Sequence, residues 1–183
     1  MAERVVTAPL WIEGPFVGNG EGVVIDANGR GHAAFVVADQ VEVVLRSFTF
    51  TGGHGELGAG LRVDGWSKVL VADCTFEGNH ATEGGANGAG VCAGTVTFER
   101  CTFGPDDDLL LTGACTVELV DCVVNSGVRI REGATVKFVR GRVRGPIDVC
   151  GTTTRAPIVR IDGTDTAGGV RNDEVLPGAV SRA

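Results

Sequence analysis

Tyrosine is absent from this chain of 183 residues, methionine occurs once, and only 5% of residues are aromatic. Lysine occurs twice beside 14 arginines, which together with the missing tyrosine reads as the coding bias of a GC-rich genome. The longest apolar run, AAFVVA at 33–38, is far too short to span a bilayer, so no membrane association is expected. No stretch carries apolar residues at i, i+3, i+4 and i+7 through three turns, which excludes a mainly helical fold. The opening MAERVVTAPLWIEGPFV lacks a positively charged start followed by a long apolar run. Cytoplasmic synthesis without a secretory signal is therefore expected. Histidine occurs only three times and no C-x-x-C pair exists, so no metal site and no cofactor are expected.

What is present favours strands. Twenty-nine glycines and six prolines, with abundant valine and threonine, mark an all-β chain rich in turns. Six segments superpose with the same columns apolar each time. One column reads Val43, Val69, Val96, Val117, Val136 and Val159, at steps of 26, 27, 21, 19 and 23 residues. The next reads Leu45, Val71, Phe98, Leu119, Phe138 and Ile161, and another Phe50, Phe76, Phe103, Val124, Val143 and Thr166. Strands repeating at such a period predict a coil in which each turn buries its apolar face against its neighbours. An outward column, Val44, Leu70, Thr97, Glu118, Lys137 and Arg160, places Glu118 beside Lys137 as an opposite-charge pair.

Each repeat also carries a second short strand that leads into glycine. Alternation sends Leu61, Val63, Val91, Leu109, Leu111, Val128, Ile130, Ile147 and Val149 inward. Aligning Leu61 with Val91 gives a 30-residue step, and the excess, EGNHATEGGANGAG at 77–90, is expected to bulge outward as a loop. Cys74, Cys101 and Cys122 share an inward column with Phe48, Gly141 and Thr164, and a ladder of reduced, packed thiols is the reading. The three histidines, His32, His54 and His80, lie in glycine-rich corners and are assigned to no common column. The domain reading is an N-terminal cap or arm at 1–21 containing Pro9, Trp11, Pro15 and Phe16, a coil at 22–168, and a C-terminal tail or cap at 169–183.

A left-handed coil needs a strict six-residue repeat, which is missing. Turns of about 19–27 residues with variable corners predict a right-handed, single-stranded parallel β-helix of six to seven rungs. The CTF segments at 74–76 and 101–103, the Gly-Ala-Gly corners, and phrases such as VEVVLRSFTFTGG and SKVLVADCTFEGN resemble the pectate-lyase-like superfamily over residues 22–168. That superfamily spans polysaccharide lyases, glycosidases, adhesins, phage tailspikes and structural rods, so the resemblance implies the fold more than an activity.

The one enzymatic motif is Gly104-Pro105-Asp106-Asp107-Asp108, which resembles the Asp-Asp phrase of polygalacturonase-type glycosidases. Such a resemblance implies that Asp106, Asp107 and Asp108 supply paired carboxylates, with Arg131 from the Arg129-Ile130-Arg131 phrase one turn on. The Asn-Thr-Asp phrase one turn earlier and the Gly-His-Gly phrase between Asp108 and Arg129 are missing. A lyase needs a Ca²⁺ cluster and a basic residue on one face, and Asp64, Asp73, Arg62 and Arg129 are scattered. A contact surface is the remaining expectation: His80 and Glu83 on the insertion, and Arg140, Arg142 and Arg144, which alternation points outward from one strand.

Charge is unevenly distributed. Residues 1–127 hold 17 acidic and 6 basic side chains (−11) and residues 128–183 hold 6 and 10 (+4), which sum to the net −7. An acidic chain without interleaved aromatics is not expected to bind nucleic acid. Together these features predict a non-catalytic structural protein of a larger homo-oligomeric assembly, with other proteins of that assembly as partners. The tailspike branch of the superfamily suggests a trimer and a phage virion component. The alternatives are a polysaccharide-binding or polysaccharide-degrading β-helix, and a filament of end-stacked β-helices resembling bacterial bactofilins.

Overall fold

The computed structural model describes residues 4–6, 10–12, 16–29, 31–82, 84–151, 155–173 and 180–182. Among these residues there is no helix, every strand pairing is parallel, and the strands stack as a β-solenoid of about six turns. The valine column is a continuous ladder in which Val43 faces Val69, then Val96, Val117, Val136 and Val159. The Leu45-to-Ile161 and Phe50-to-Thr166 columns hold the same register.

Three walls enclose the core. The long wall stacks Lys68–Ala72, Gly94–Glu99, Cys115–Val120, Thr135–Val139 and Ile158–Asp162, and the short wall stacks Thr75–Phe76, Thr102–Phe103, Val123–Val124, Arg142–Val143 and Asp165–Thr166. Glu42–Thr51 belongs to both, pairing with Lys68–Ala72 through its first half and with Thr75–Phe76 through its second. The third wall runs from Leu10–Ile12 through Phe35–Val37, Leu61–Val63, Ala89–Val91, Leu109–Leu111, Val128–Ile130 and Ile147–Cys150 to Val170–Asp173. Every residue assigned inward from this wall by alternation is buried.

Inside, phenylalanines pile up along the axis. The rings of Phe50 and Phe76 stack at 5.0 Å, and those of Phe76 and Phe103 at 4.6 Å with planes 3° apart. Phe35 and Phe98 meet this pile edge-on from the other walls. Each such ring, withdrawn from water, contributes about 1.5–3 kcal/mol of burial energy.

The chain bends between long and short walls at a left-handed residue in each turn: Ser47, Asp73, Arg100, Asp121, Arg140 (with Gly141 left-handed after it) and, at the last bend, Gly163. This bend explains the cysteine column. The thiols of Cys74, Cys101 and Cys122 donate to the carbonyls of Ala72, Glu99 and Val120 just before the bend, at 3.2, 3.4 and 3.4 Å. They also reach the preceding turn, at Leu45, Val71 and Phe98. A small apolar side chain with a weak donor fits a dry corner where carbonyls turn away from the ladder. All six cysteines are free thiols.

The ladder extends beyond the limits expected for the coil. Phe16–Asp26 already pairs with Glu42–Thr51, Arg4–Val6 pairs with Phe16–Asp26, and Val180–Arg182 adds to the long wall. Pro9 and Pro15 lie outside the described residues. The 30-residue step is corrected: Leu61 faces Ala89 and Val63 faces Val91, a step of 28.

Candidate functional site

The acidic catalytic candidates lie in the corner between the short and third walls, where 104–108 joins Thr102–Phe103 to Leu109–Leu111, whereas Arg131 lies past the far end of the third-wall strand. Asp107 is 1% exposed. Its Oδ1 accepts from the Asn79 amide and side chain at 3.3 and 2.8 Å, its Oδ2 accepts from the Gly78 amide at 3.1 Å, and its carbonyl accepts from the Ser126 hydroxyl. Gly104 lets this carboxylate tuck in, because a Cβ there would lie 2.8 Å from Oδ2. Burial pushes the Asp107 carboxyl above its ordinary value, against the lowering pull of the bonds from Asn79 and Gly78. Asn79 itself is buried and bonds the Phe50 carbonyl and the Gly53 amide one turn below. The pair is a clip across three turns.

Asp108 is engaged as well. It accepts the Asn87 amide at 2.8 Å and forms a two-pronged pair with Arg129, at 3.0 Å from Nε and 2.7 Å from Nη2. Asp106 is exposed, and its carbonyl holds the Asn87 side chain at 2.7 Å. Arg131 sits one turn on, half-buried, with no ion pair to a described residue. A glycosidase needs two carboxyl groups facing the scissile bond. Here one of the three is walled in and a second is neutralised by arginine.

The other basic and acidic candidates are likewise paired. Arg62 bonds Asp64 at 2.8 Å, Arg100 takes Asp73, Arg140 takes Asp121 at 2.7 Å, and Arg142 takes Asp165 at 3.1 Å. Arg144 is exposed. Arg140, Arg142 and Arg144 do not share one strand, because Arg140 stands at the left-handed bend and the strand is Arg142–Val143 alone. Glu118 and Lys137 form the expected pair at 2.8 Å.

The histidine reading is corrected for one pair, His54 and His80. His54 donates its amide to the His32 carbonyl at 2.8 Å, and the rings of His54 and His80 lie 5.5 Å apart. The three residues occupy one corner of successive turns, with His54 and His80 in one column and His32 a single position away, an arrangement hidden in the sequence by unequal corner lengths. The expected bulge at 77–90 is also more ordered than a free loop: its His80, Thr82 and Ala86 amides donate to Gly53, Gly55 and Leu57. Glu83, the other expected contact residue, lies outside the described residues. Among the described residues no group of three His, Cys, Asp or Glu side chains is placed to hold a metal ion.

Outside the corners, shallow hollows line up along the long wall. Glu42, Val44, Lys68, Leu70, Thr95 and Thr97 border one, and Thr116, Glu118, Thr135, Lys137, Ile158 and Arg160 border the next. They result from the unequal side chains of adjacent outward columns and are open to solvent. Trp66 stands exposed at the neighbouring corner, its amide held by Asp39 at 2.7 Å.

These features define a three-walled parallel β-solenoid whose polar groups mostly bind one another across turns. No family model, no curated protein and no solved structure matches the chain.

Proposed function

We propose that this solenoid is a non-catalytic structural protein of a larger homo-oligomeric assembly. One observation carries the reading: among the described residues, both ends of the rod finish in strands with an unpaired edge. Asp165–Thr166, Val170–Asp173 and Val180–Arg182 each pair only with the turn before them, and Arg4–Val6 and Leu10–Ile12 only with the turn after. An unpaired parallel edge is a template for a further strand, whether from the same chain or another. The acidic candidates add support, since Asp107 and Asp108 hold corners together. A trimeric phage virion component is the specific form suggested by the resemblance to tailspikes. Light scattering coupled to size exclusion tests the assembly: a defined oligomer is expected, and a clean monomer at high concentration overturns it. Negative-stain images separate a closed oligomer from the end-stacked filament.

The second reading, a polysaccharide-binding β-helix, draws on the row of hollows along the long wall and on exposed Trp66. A sugar polymer laid along that wall would meet Thr95, Thr97, Thr116 and Thr135 together with the charged rim. Affinity electrophoresis in polyuronide gels separates the readings, since retardation weakened by Thr97→Arg or Trp66→Ala favours the glycan.

A further inference from the structure

The corner between the short and third walls changes length abruptly along the rod. It runs through 27–34, 52–60 and 77–88 in successive turns, then shrinks to 104–108, 125–127 and 144–146. The three long corners build a side layer beside the third wall, with His80 stacked on His54 and His32 one position off that column in the turn below. Within this layer the amides of Thr82 and Ala86 donate to Gly55 and Leu57, both at 2.9 Å, and Gly58 and Ala86 form an isolated parallel bridge. The layer lies against the outer surface of the third wall. There Gly90 has room only for hydrogen, because a Cβ would lie 2.4 Å from the Leu57 carbonyl oxygen. Leu110 points outward between Gly90 and Arg129 in the same column, yet is 9% exposed.

The last long corner has no equivalent above it, because 104–108 is too short to supply one. Its upward carbonyls would be left without donors, a costly position beside a packed wall. Arg129 reaches down to them from Val128–Ile130, two turns further on. Its Nη1 donates to the Gly84 carbonyl at 3.2 Å, its Nη2 to the Gly85 carbonyl, and the fork is held in place by Asp108. The base of the same segment is pinned separately. Asn79 anchors one side, and Asn87 closes the other by accepting the Ala81 amide at 2.7 Å. Between these two asparagines, only Ala81 and Ala86 are apolar.

We propose that the described residues 80–82 and 84–86 form a flap over the third wall, and that Arg129 is its catch. A segment with few buried apolar side chains, hinged at two fixed points, opens at lower cost than the solenoid beneath it. The forked guanidinium stands in for the missing turn, and its release frees the flap while the rungs stay paired. The inference is independent of the assembly reading, since it concerns one chain.

Amide hydrogen exchange on the full chain tests it. Arg129→Gln is expected to speed exchange at Thr82, Gly85 and Ala86 by tenfold or more, with Val96, Val117 and Val136 unchanged. Flap rates that do not move, or that rise together with the long wall, overturn the proposal. Arg129→Lys keeps the charge but loses the fork and is expected to open the flap too; full protection with lysine also counts against the catch. Should Arg129→Gln fail to fold, Asp108→Asn removes the carboxylate that aims the guanidinium and is judged by the same two sets of amides.

Discussion

Asp73, Arg100, Asp121 and Arg140 occupy the same bend of four successive turns, with φ of 55°, 51°, 54° and 55°. Left-handed backbone costs a residue with a Cβ roughly 1–2 kcal/mol, and aspartate tolerates it better than arginine. Their side chains partly offset this by meeting in pairs: Arg100 grips Asp73 at 2.6 and 2.8 Å, and Arg140 grips Asp121 at 2.7 Å through both prongs. The hydrogen bond from Arg140 holds the Asp121 carboxyl below its ordinary value of 3.8, and that from Arg100 does the same for Asp73. A carboxyl lowered by folding stabilises the native state above its unfolded value, and that contribution disappears as pH falls through the lower folded value. Asp121→Asn is therefore expected to be less stable than the parent in urea at pH 7, with the gap closing as pH falls below 3.8 and through the lowered folded value. Because both groups are exposed, added salt should narrow the same gap. An unchanged gap at low pH would assign it to something other than the pair. This charge ladder stands in the sequence one position before the cysteine column, but nothing about an arginine announces a left-handed bend. The pairing becomes legible only once the bend stacks those positions.

At the scale of the strand, the columns were readable because two periods coincide. Side chains alternate in and out within each strand, and the whole pattern recurs turn after turn. Val43 through Val159 and Phe50 through Thr166 consequently fall in register as expected. The corners obey neither period. The Gly-Ala-Gly phrases at 58–60 and 88–90 gave no apolar anchor, so Leu61 aligned with Val91 rather than Ala89. The stacking of His80 on His54 was hidden for the same reason. The glycines themselves carry a message visible only in space: a Cβ on Gly58 would lie 2.2 Å from the Gly90 nitrogen. The strongest element-scale expectation concerns the ring pile. Phe76 stacks on both Phe50 and Phe103 and touches Phe98 edge-on, so Phe76→Ala removes three aromatic contacts and leaves a void. A loss of about 3–5 kcal/mol is expected in urea unfolding. A loss under ~1 kcal/mol would mean that the turns do not share one rigid core.

For the molecule as a whole, a solenoid behaves as a one-dimensional stack in which each turn contacts only its neighbours. The clips found here are local in that sense: Asn79 to Asp107, Arg100 to Asp73 and Arg140 to Asp121 each join adjacent turns, and among the described residues only Arg129 spans further. Three strand pairs place Thr116 opposite Thr135, Val123 opposite Arg142 and Val128 opposite Ile147, a uniform offset of 19 residues on all three walls. Removing residues 130–148 therefore excises one complete turn and joins Arg129 to Val149 without disturbing register. Cys115–Val120 would then lie directly under Ile158–Asp162, with Glu118 beside Arg160 in place of Lys137, so the outward charges still alternate. Asp108, Arg129 and the flap stay intact. The shortened chain is expected to fold and unfold cooperatively, with a smaller urea m-value because less surface is exposed, and to lose one rung of about 4.8 Å from the rod in small-angle scattering. A control excision of 130–147 joins Arg129 to Asp148, which puts Asp148 at the inward position that Val149 should fill and turns Val149 to solvent, and should be markedly less stable. If both deletions behave alike, register between turns does not hold this protein together, and the stacked-column account of its core fails.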